Sequence, residues 1–266
     1  MYCGPISVRS ILPQPWRNFP GGSGGLALGL AESRQSGARW GDLGQRLMSG
    51  LVLAGIGLGC VWTGGLAFFG VLGAAAIGLA IELTKLCVSP SRSTFKTTRW
   101  VLLIAGLCWF ALVTVVMLRL RADPGAGRAN VLTLLLIVSA TDIAAYITGR
   151  LVGGPRLVPR ISPAKTWSGA IGGLLGAAAA GIGAAAVLGQ PEAIWRAGLV
   201  AAGLGVMAEA GDLLESAMKR RFGVKDSSHL IPGHGGLLDR LDGLLAAAPV
   251  AALLALMAGP GVMLWG

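Results

Sequence analysis

The sequence predicts an all-α fold, a polytopic transmembrane bundle of about seven to nine helices, from three observations. Of its 266 residues, 54% are hydrophobic and 13% charged. That is about half the charged share of a soluble domain, too little to cover a water-facing surface. The mean hydropathy is +0.70, and the apolar residues gather in blocks about 20 residues long, the length a helix needs to cross a bilayer core. A soluble enzyme, a disordered chain and a disulfide-stapled secreted domain are excluded.

Residues 1–45 are rich in Gly, Pro, Ser and Arg, with no apolar run long enough for a signal-peptide core. They read as a disordered extension or as the product of a start codon assigned too far upstream. Residues 46–266 form the transmembrane domain. Its seven apolar blocks lie near Leu47–Trp62, Leu66–Leu86, Trp100–Leu118, Asn130–Thr148, Trp167–Leu188, Ile194–Leu214 and Leu244–Leu264. The first is short, and Thr63-Gly64-Gly65 makes a very tight connection to the second. Gly169-xxx-Gly173 and Gly172-xxx-Gly176 let the fifth helix approach its neighbours closely. The glycine-rich helices also offer a surface for a homodimer. Pro249 and Pro260 imply a kink or a frayed end in the last block. Cys3, Cys60, Cys87 and Cys108 have no ligand spacing and build no metal site.

The net charge of +10 would suggest a nucleic-acid partner in a soluble protein. Here the basic residues sit between apolar blocks, so membrane orientation and anionic head groups account for them. No nucleic acid is expected. Eighteen of the 22 Lys and Arg fall on one side if seven helices alternate, leaving Arg119, Arg121, Arg128 and Arg196 on the other. By the positive-inside rule the N-terminus and both long polar loops face the cytoplasm.

Acidic residues within apolar blocks are costly, which makes Glu82, Asp142, Glu209 and Asp212 functional candidates. All four fall toward the cytoplasmic ends of their helices. Glu209, Asp212, Ser216 and Lys219 are spaced by three, four and three residues and share one helical face. The stretch Ser216–Asp242 then combines a basic cluster (Lys219, Arg220, Arg221, Lys225), glycines around His234, and the carboxylates Asp239 and Asp242 on one face of the next helix start. Carboxylates hold hard divalent cations, and glycines let backbone amides approach an anion. Together these are the parts that phosphoryl or nucleotidyl transfer requires.

At these residues the sequence resembles the phosphatidate cytidylyltransferase (CDP-diacylglycerol synthase) family. Ser216, Lys219, Arg220, Lys225, Asp226, Ser228, Pro232, His234, Gly235, Gly236, Asp239, Arg240 and Asp242 match its signature. So does the upstream stretch Asp142-x3-Tyr146-x2-Gly149-Arg150 followed by Ile161–Trp167. There are two departures: Ser168 stands where the family usually has an acid, and seven blocks is low for a family with eight or more helices. The Asp242-Gly243 start of a CDP-alcohol-consuming motif is not continued, because position 247 is Ala.

The resemblance implies that residues 46–266 are a catalytic domain converting CTP and phosphatidate into CDP-diacylglycerol and pyrophosphate. The enzyme would sit in the bacterial inner membrane with its active site toward the cytoplasm. It makes Asp212 and Asp239 the principal ligands of Mg²⁺, with Asp242 and Asp226 supporting and room for a second cation. Catalysis falls to Asp212, Lys219, Asp239 and Asp242. Lys219, Arg220, Lys225 and Arg240 clamp phosphates, and Ser162, Lys165 and Thr166 form a second phosphate site. Ser216 is a hydroxyl ligand near the metals; His234, between Gly233 and Gly235, bonds a phosphate oxygen or orders the loop, and Gly235 and Gly236 join the phosphate-binding set. Two alternatives stay open, a CTP-dependent lipid kinase and a secondary transporter of an anionic solute.

Overall fold

The computed structural model describes residues 48, 50–88, 96–224, 228 and 235–266, and the extension expected over 1–45 lies outside them. Among the described residues, α1 spans Gly50–Thr63, α2 Gly65–Val88, α3 Lys96–Ala122, α4 Gly127–Leu151, α5 Trp167–Val187, α6 Ile194–Phe222 and α7 Leu238–Ala258. All but α1 are long and apolar enough to cross a membrane, so the chain is a helical integral membrane protein. At 14 residues α1 rises only about 21 Å, short of a ~30 Å hydrocarbon core. One departure from all-α is a small antiparallel hairpin, β1 (Arg156–Val158) with β2 (Ser162–Thr166), between α4 and α5.

Local chemistry explains the joints. The tight connection after α1 is a left-handed turn at Gly64 (φ 67°) and Gly65 (φ 52°), which a side chain would strain. Arg121 from the end of α3 fills the space beside Gly64, donating from Nε to the Val61 carbonyl at 2.7 Å. Its cation thereby caps the C-terminus of α1, where carbonyls lack helical partners. Arg128 lies 4.4 Å over the Trp62 ring. These are two of the four exceptions to the charge asymmetry, and both are held by the end of α1.

Packing runs in sequence: α4 along α5, α5 along α6 and α6 along α7, with α3 against α2 and α7. The small-residue stripe on α5 works as expected. A Cβ at Gly169 would stand 3.0 Å from the Ala145 carbonyl, and one at Gly176 would collide with the Ala144 side chain, so α4 and α5 nearly touch.

The last two helices differ from the apolar blocks. The sixth block ends at Leu214, but α6 continues to Phe222 and stops where Gly223 turns left-handed (φ 70°). The seventh block was expected at Leu244–Leu264, whereas α7 starts six residues earlier and ends at Ala258. Its polar start is half-buried along a cavity rather than lipid-facing, and Gly259 (φ 98°) ends it ahead of Pro260. Residues 259–266 turn back instead. The buried Asn130 amide donates to the Val262 carbonyl at 3.1 Å and accepts the Leu264 amide at 3.0 Å.

Pro249 lies inside α7 and leaves the Leu245 carbonyl without its helical donor. The Trp109 indole of α3 supplies it, donating from Nε1 at 3.1 Å. Within a bilayer no water can take over that bond. Trp109→Phe is expected to lower unfolding stability by about 1–3 kcal/mol, measured by denaturation in detergent. An unchanged midpoint would contradict the role of the indole.

Asp123 lies between spans at the end opposite the hairpin. Its Oδ1 accepts the Gly125 and Ala126 amides at 2.9 and 2.7 Å, and its Oδ2 accepts Gly261 N at 2.7 Å. These backbone bonds, that of Ala126 foremost, hold its carboxyl below the usual carboxylate range. A depressed folded pKa gives stability fully present above the unfolded value of about 3.9 and lost as pH falls through the folded pKa. Asp123→Asn is therefore expected to melt below the parent at neutral pH, with the gap closing under acid. A gap constant from neutral pH to below about pH 3 would refute this linkage.

Candidate active site

The site lies where α4 ends, α5 begins, α6 ends and α7 begins. Thr166, in extended conformation (φ −118°, ψ 158°), caps α5: its Oγ1 accepts the Gly169 amide at 3.1 Å. Ser168 donates to the Gly153 carbonyl, tying the segment before the hairpin to the start of α5. With the helix start fixed, the preceding Lys165 points at α6. Its Nζ stands 2.7 Å from Asp212 Oδ2 and 3.5 Å from the Glu209 carbonyl. On α6, the absent side chain of Gly211 lets the Asp242 backbone of α7 pack directly against it. That close approach sets the carboxylates of Asp212 and Asp242 side by side.

A cavity of ≈ 550 Å³ opens among these ends. Six carboxylates line it (Asp142, Glu209, Asp212, Glu215, Asp239, Asp242) against three cations, Arg150, Lys165 and Lys219. Oxygens of Asp212, Glu215 and Asp242, one from each, lie within 4.8 Å of one another. Glu215 is 5% exposed; its Oε2 meets Lys219 Nζ at 2.6 Å, while its Oε1 has no hydrogen-bond partner. Glu209 Oε1 is likewise buried and unpartnered. A buried carboxylate oxygen without a partner is expensive. An all-oxygen cluster of this kind suits a hard divalent cation.

Asp239, expected beside Asp212, is not in that trio. Its Oδ1 takes Lys219 Nζ at 2.9 Å and its Oδ2 accepts the Gly236 amide at 3.3 Å. Lys219 thus bridges Glu215 of its own helix and Asp239 of α7. Asp242 Oδ1 accepts the Gly243 amide at 2.8 Å. Gly235 is left-handed (φ 85°), a conformation costly for other residues.

Other expected groups stand further out. Ser216 Oγ donates weakly to Asp212 Oδ1 at 3.4 Å. Arg220 Nε donates to the Ile161 carbonyl at 3.3 Å, fastening the end of α6 to the hairpin turn. Ser162 pairs with Val158 in the hairpin, and Arg240 is exposed. None of these four lines the cavity. Thr166 does, although its hydroxyl already caps α5. Lys225, Asp226 and His234 lie outside the described residues.

Sequence reasoning missed Glu215. Its signal was present, three residues after Asp212 and four before Lys219, which are both same-face spacings.

Residues 88–258 match the model of the cytidylyltransferase family. The phosphatidate cytidylyltransferase of Brucella suis biovar 1 is 36% identical over 263 residues, covering 83% of this chain and 96% of that protein. That of Pseudomonas aeruginosa is 33% identical over 268 residues, 82% of this chain and 99% of its own. That of Mycobacterium leprae reaches 46% over 128 residues, 48% of this chain and 41% of its own.

Proposed function

The chain belongs to the cytidylyltransferase family, and on that premise we propose that it transfers the cytidylyl group of CTP to phosphatidate, giving CDP-diacylglycerol and pyrophosphate. The carrying observation is the convergence of Asp212, Glu215 and Asp242 beside Lys165 and Lys219, at helix ends where a lipid phosphate meets water.

The phosphatidate phosphate is a monoester, already ionised near neutral pH, so the chemistry needs no general base. Its oxygen forms a bond to the α-phosphorus of CTP, and the bond from that phosphorus to the β-phosphoryl oxygen breaks, releasing pyrophosphate. The obstacle is bringing two polyanions together, so catalysis is positioning and charge neutralisation. Lys165 and Lys219 are held at the cavity wall by carboxylates, which fixes their ammonium groups for phosphate oxygens. Arg150 at the cavity rim and Arg220 and Arg240 on the surface add positive charge around the entry. Asp212, Glu215 and Asp242 would hold Mg²⁺, which supplies charge neutralisation on the transferring and leaving oxygens. The unpartnered Glu209 oxygen and the surplus of carboxylates leave room for a second cation.

The active site faces the cytoplasm of a bacterial inner membrane in this proposal. In support, eleven Lys and Arg among the described residues cluster at the cavity end, from Lys85 to Arg240. Arg119, Arg121, Arg128 and Arg196 lie at the other end. CTP is a cytoplasmic substrate.

CTP labelled at the α-phosphorus is expected to carry label into the lipid, and CTP labelled at the γ-phosphorus is not. Lipid labelled from the γ position would make the protein a CTP-dependent kinase instead.

A further inference from the structure

Glu82 is the acidic residue in an apolar helix that the cavity does not use. It lies in the second half of α2, 1% exposed, between the buried side chains of Leu79, Leu83 and Leu86. A carboxylate there costs free energy unless donors surround it. Three do. Ser228 Oγ donates to Oε1 at 2.5 Å, Leu237 N to Oε1 at 2.7 Å, and Leu238 N to Oε2 at 2.8 Å.

The two amides are at the start of α7, where backbone N–H groups have no helical acceptor. Leu237 occupies the cap position with helical backbone (φ −69°, ψ −35°), and its own side chain makes no capping hydrogen bond. A carboxylate 155 residues upstream serves as the cap instead. It also lays negative charge on the positive end of the helix dipole. Because both oxygens of one rigid carboxylate grip successive amides, the start of α7 is fixed along its axis and in rotation. Asp239 follows Leu238 directly, and Asp242 stands one turn later. Glu82 does not line the cavity. It reaches the chemistry only through α7, and a displacement near 1 Å at a reacting centre costs on the order of 10²-fold in rate.

We propose that Glu82 is a positioning residue for the transfer reaction, holding the first turn of α7 so that Asp239 and Asp242 meet α6 in register. The proposal rests on the cytidylyl-transfer reading of the cavity.

The test uses the full chain in detergent with Glu82→Gln, which keeps length but loses charge and one acceptor, and Glu82→Asp, which keeps charge but loses reach. Both are expected to lower kcat by about 10- to 100-fold while KM for CTP stays within about threefold. Thermal midpoints fall as for a lost helix cap while the variants remain folded at the assay temperature, and amide exchange quickens at residues 236–240 but not in α5. A folded variant with parental kcat, or with unchanged exchange at the α7 start, overturns the proposal. So does activity that falls only in step with the amount of folded protein, which makes Glu82 a scaffold residue; variants that fail to insert count with that outcome. If the parent itself lacks cytidylyl transfer, the functional reading fails, and the exchange measurement alone decides whether Glu82 caps α7.

Discussion

Asp242→Asn is expected to lower kcat by at least about 10³-fold while leaving the protein folded and slightly more heat-stable than the parent. The two effects have one cause. Asp242 shares a cluster with Asp212 and Glu215 whose oxygens lie within 4.8 Å of one another, and like charges at that range repel. Asparagine keeps the volume and can still accept the Gly243 amide that Asp242 Oδ1 accepts at 2.8 Å, but it removes one charge. The repulsion among the three carboxylates is relieved, and the site's hold on a divalent cation goes with it. Asp212→Asn is expected to behave alike in rate. It also strips Lys165 of the partner at 2.7 Å, so its gain in stability is smaller. Three measurements check this: kcat in mixed micelles, the thermal midpoint, and the rise of that midpoint on adding Mg²⁺, which the parent has and both variants lose. Parental kcat in either variant would remove the cation site from Asp212, Glu215 and Asp242.

Lys219→Met is expected to reduce both activity, by 10² or more, and stability, by about 3 kcal/mol. Lys219 is the only cation bonded to both Glu215 and Asp239 among the described residues, at 2.6 and 2.9 Å. Removing one member of a buried ionic set leaves the others uncompensated, which costs far more than an exposed pair would. Adding Asp239→Asn to Lys219→Met should restore part of the lost stability, because one orphaned charge is gone, and none of the lost activity. A double variant less stable than Lys219→Met would show that Asp239 does not depend on Lys219 for its neutralisation.

Much of this was legible before any coordinates. Helix-length apolar blocks fixed α2 to α5 within a few residues, since length and hydropathy are what a bilayer selects. The α5 glycines announced their close approach to α4, and Glu209, Asp212 and Lys219 announced one face of α6. What hydropathy could not locate was the start of α7. A block search looks for lipid-facing residues, whereas the first turn of α7 carries Asp239 and Asp242, half-buried at the cavity wall. Nor could spacing reveal its cap, since Glu82 lies 155 residues from Leu237 in the chain. The bond from Trp109 to the Leu245 carbonyl is equally non-local; Pro249 told only that some donor was needed. Glu215 is within reach of spacing, three residues after Asp212 and four before Lys219. Asp239 was chosen as a metal ligand from resemblance, and its bonds to Lys219 and Gly236 set it apart from the trio the geometry assembles.

The central measurement is product balance. Purified protein is given phosphatidate, Mg²⁺ and CTP labelled in the cytosine ring, in mixed micelles, beside Asp242→Asn. Cytidylyl transfer requires label in the organic phase, one pyrophosphate in water for each labelled lipid, and neither product in the variant. Labelled CDP in water with an unlabelled lipid, or no consumption of CTP by the parent, would contradict it.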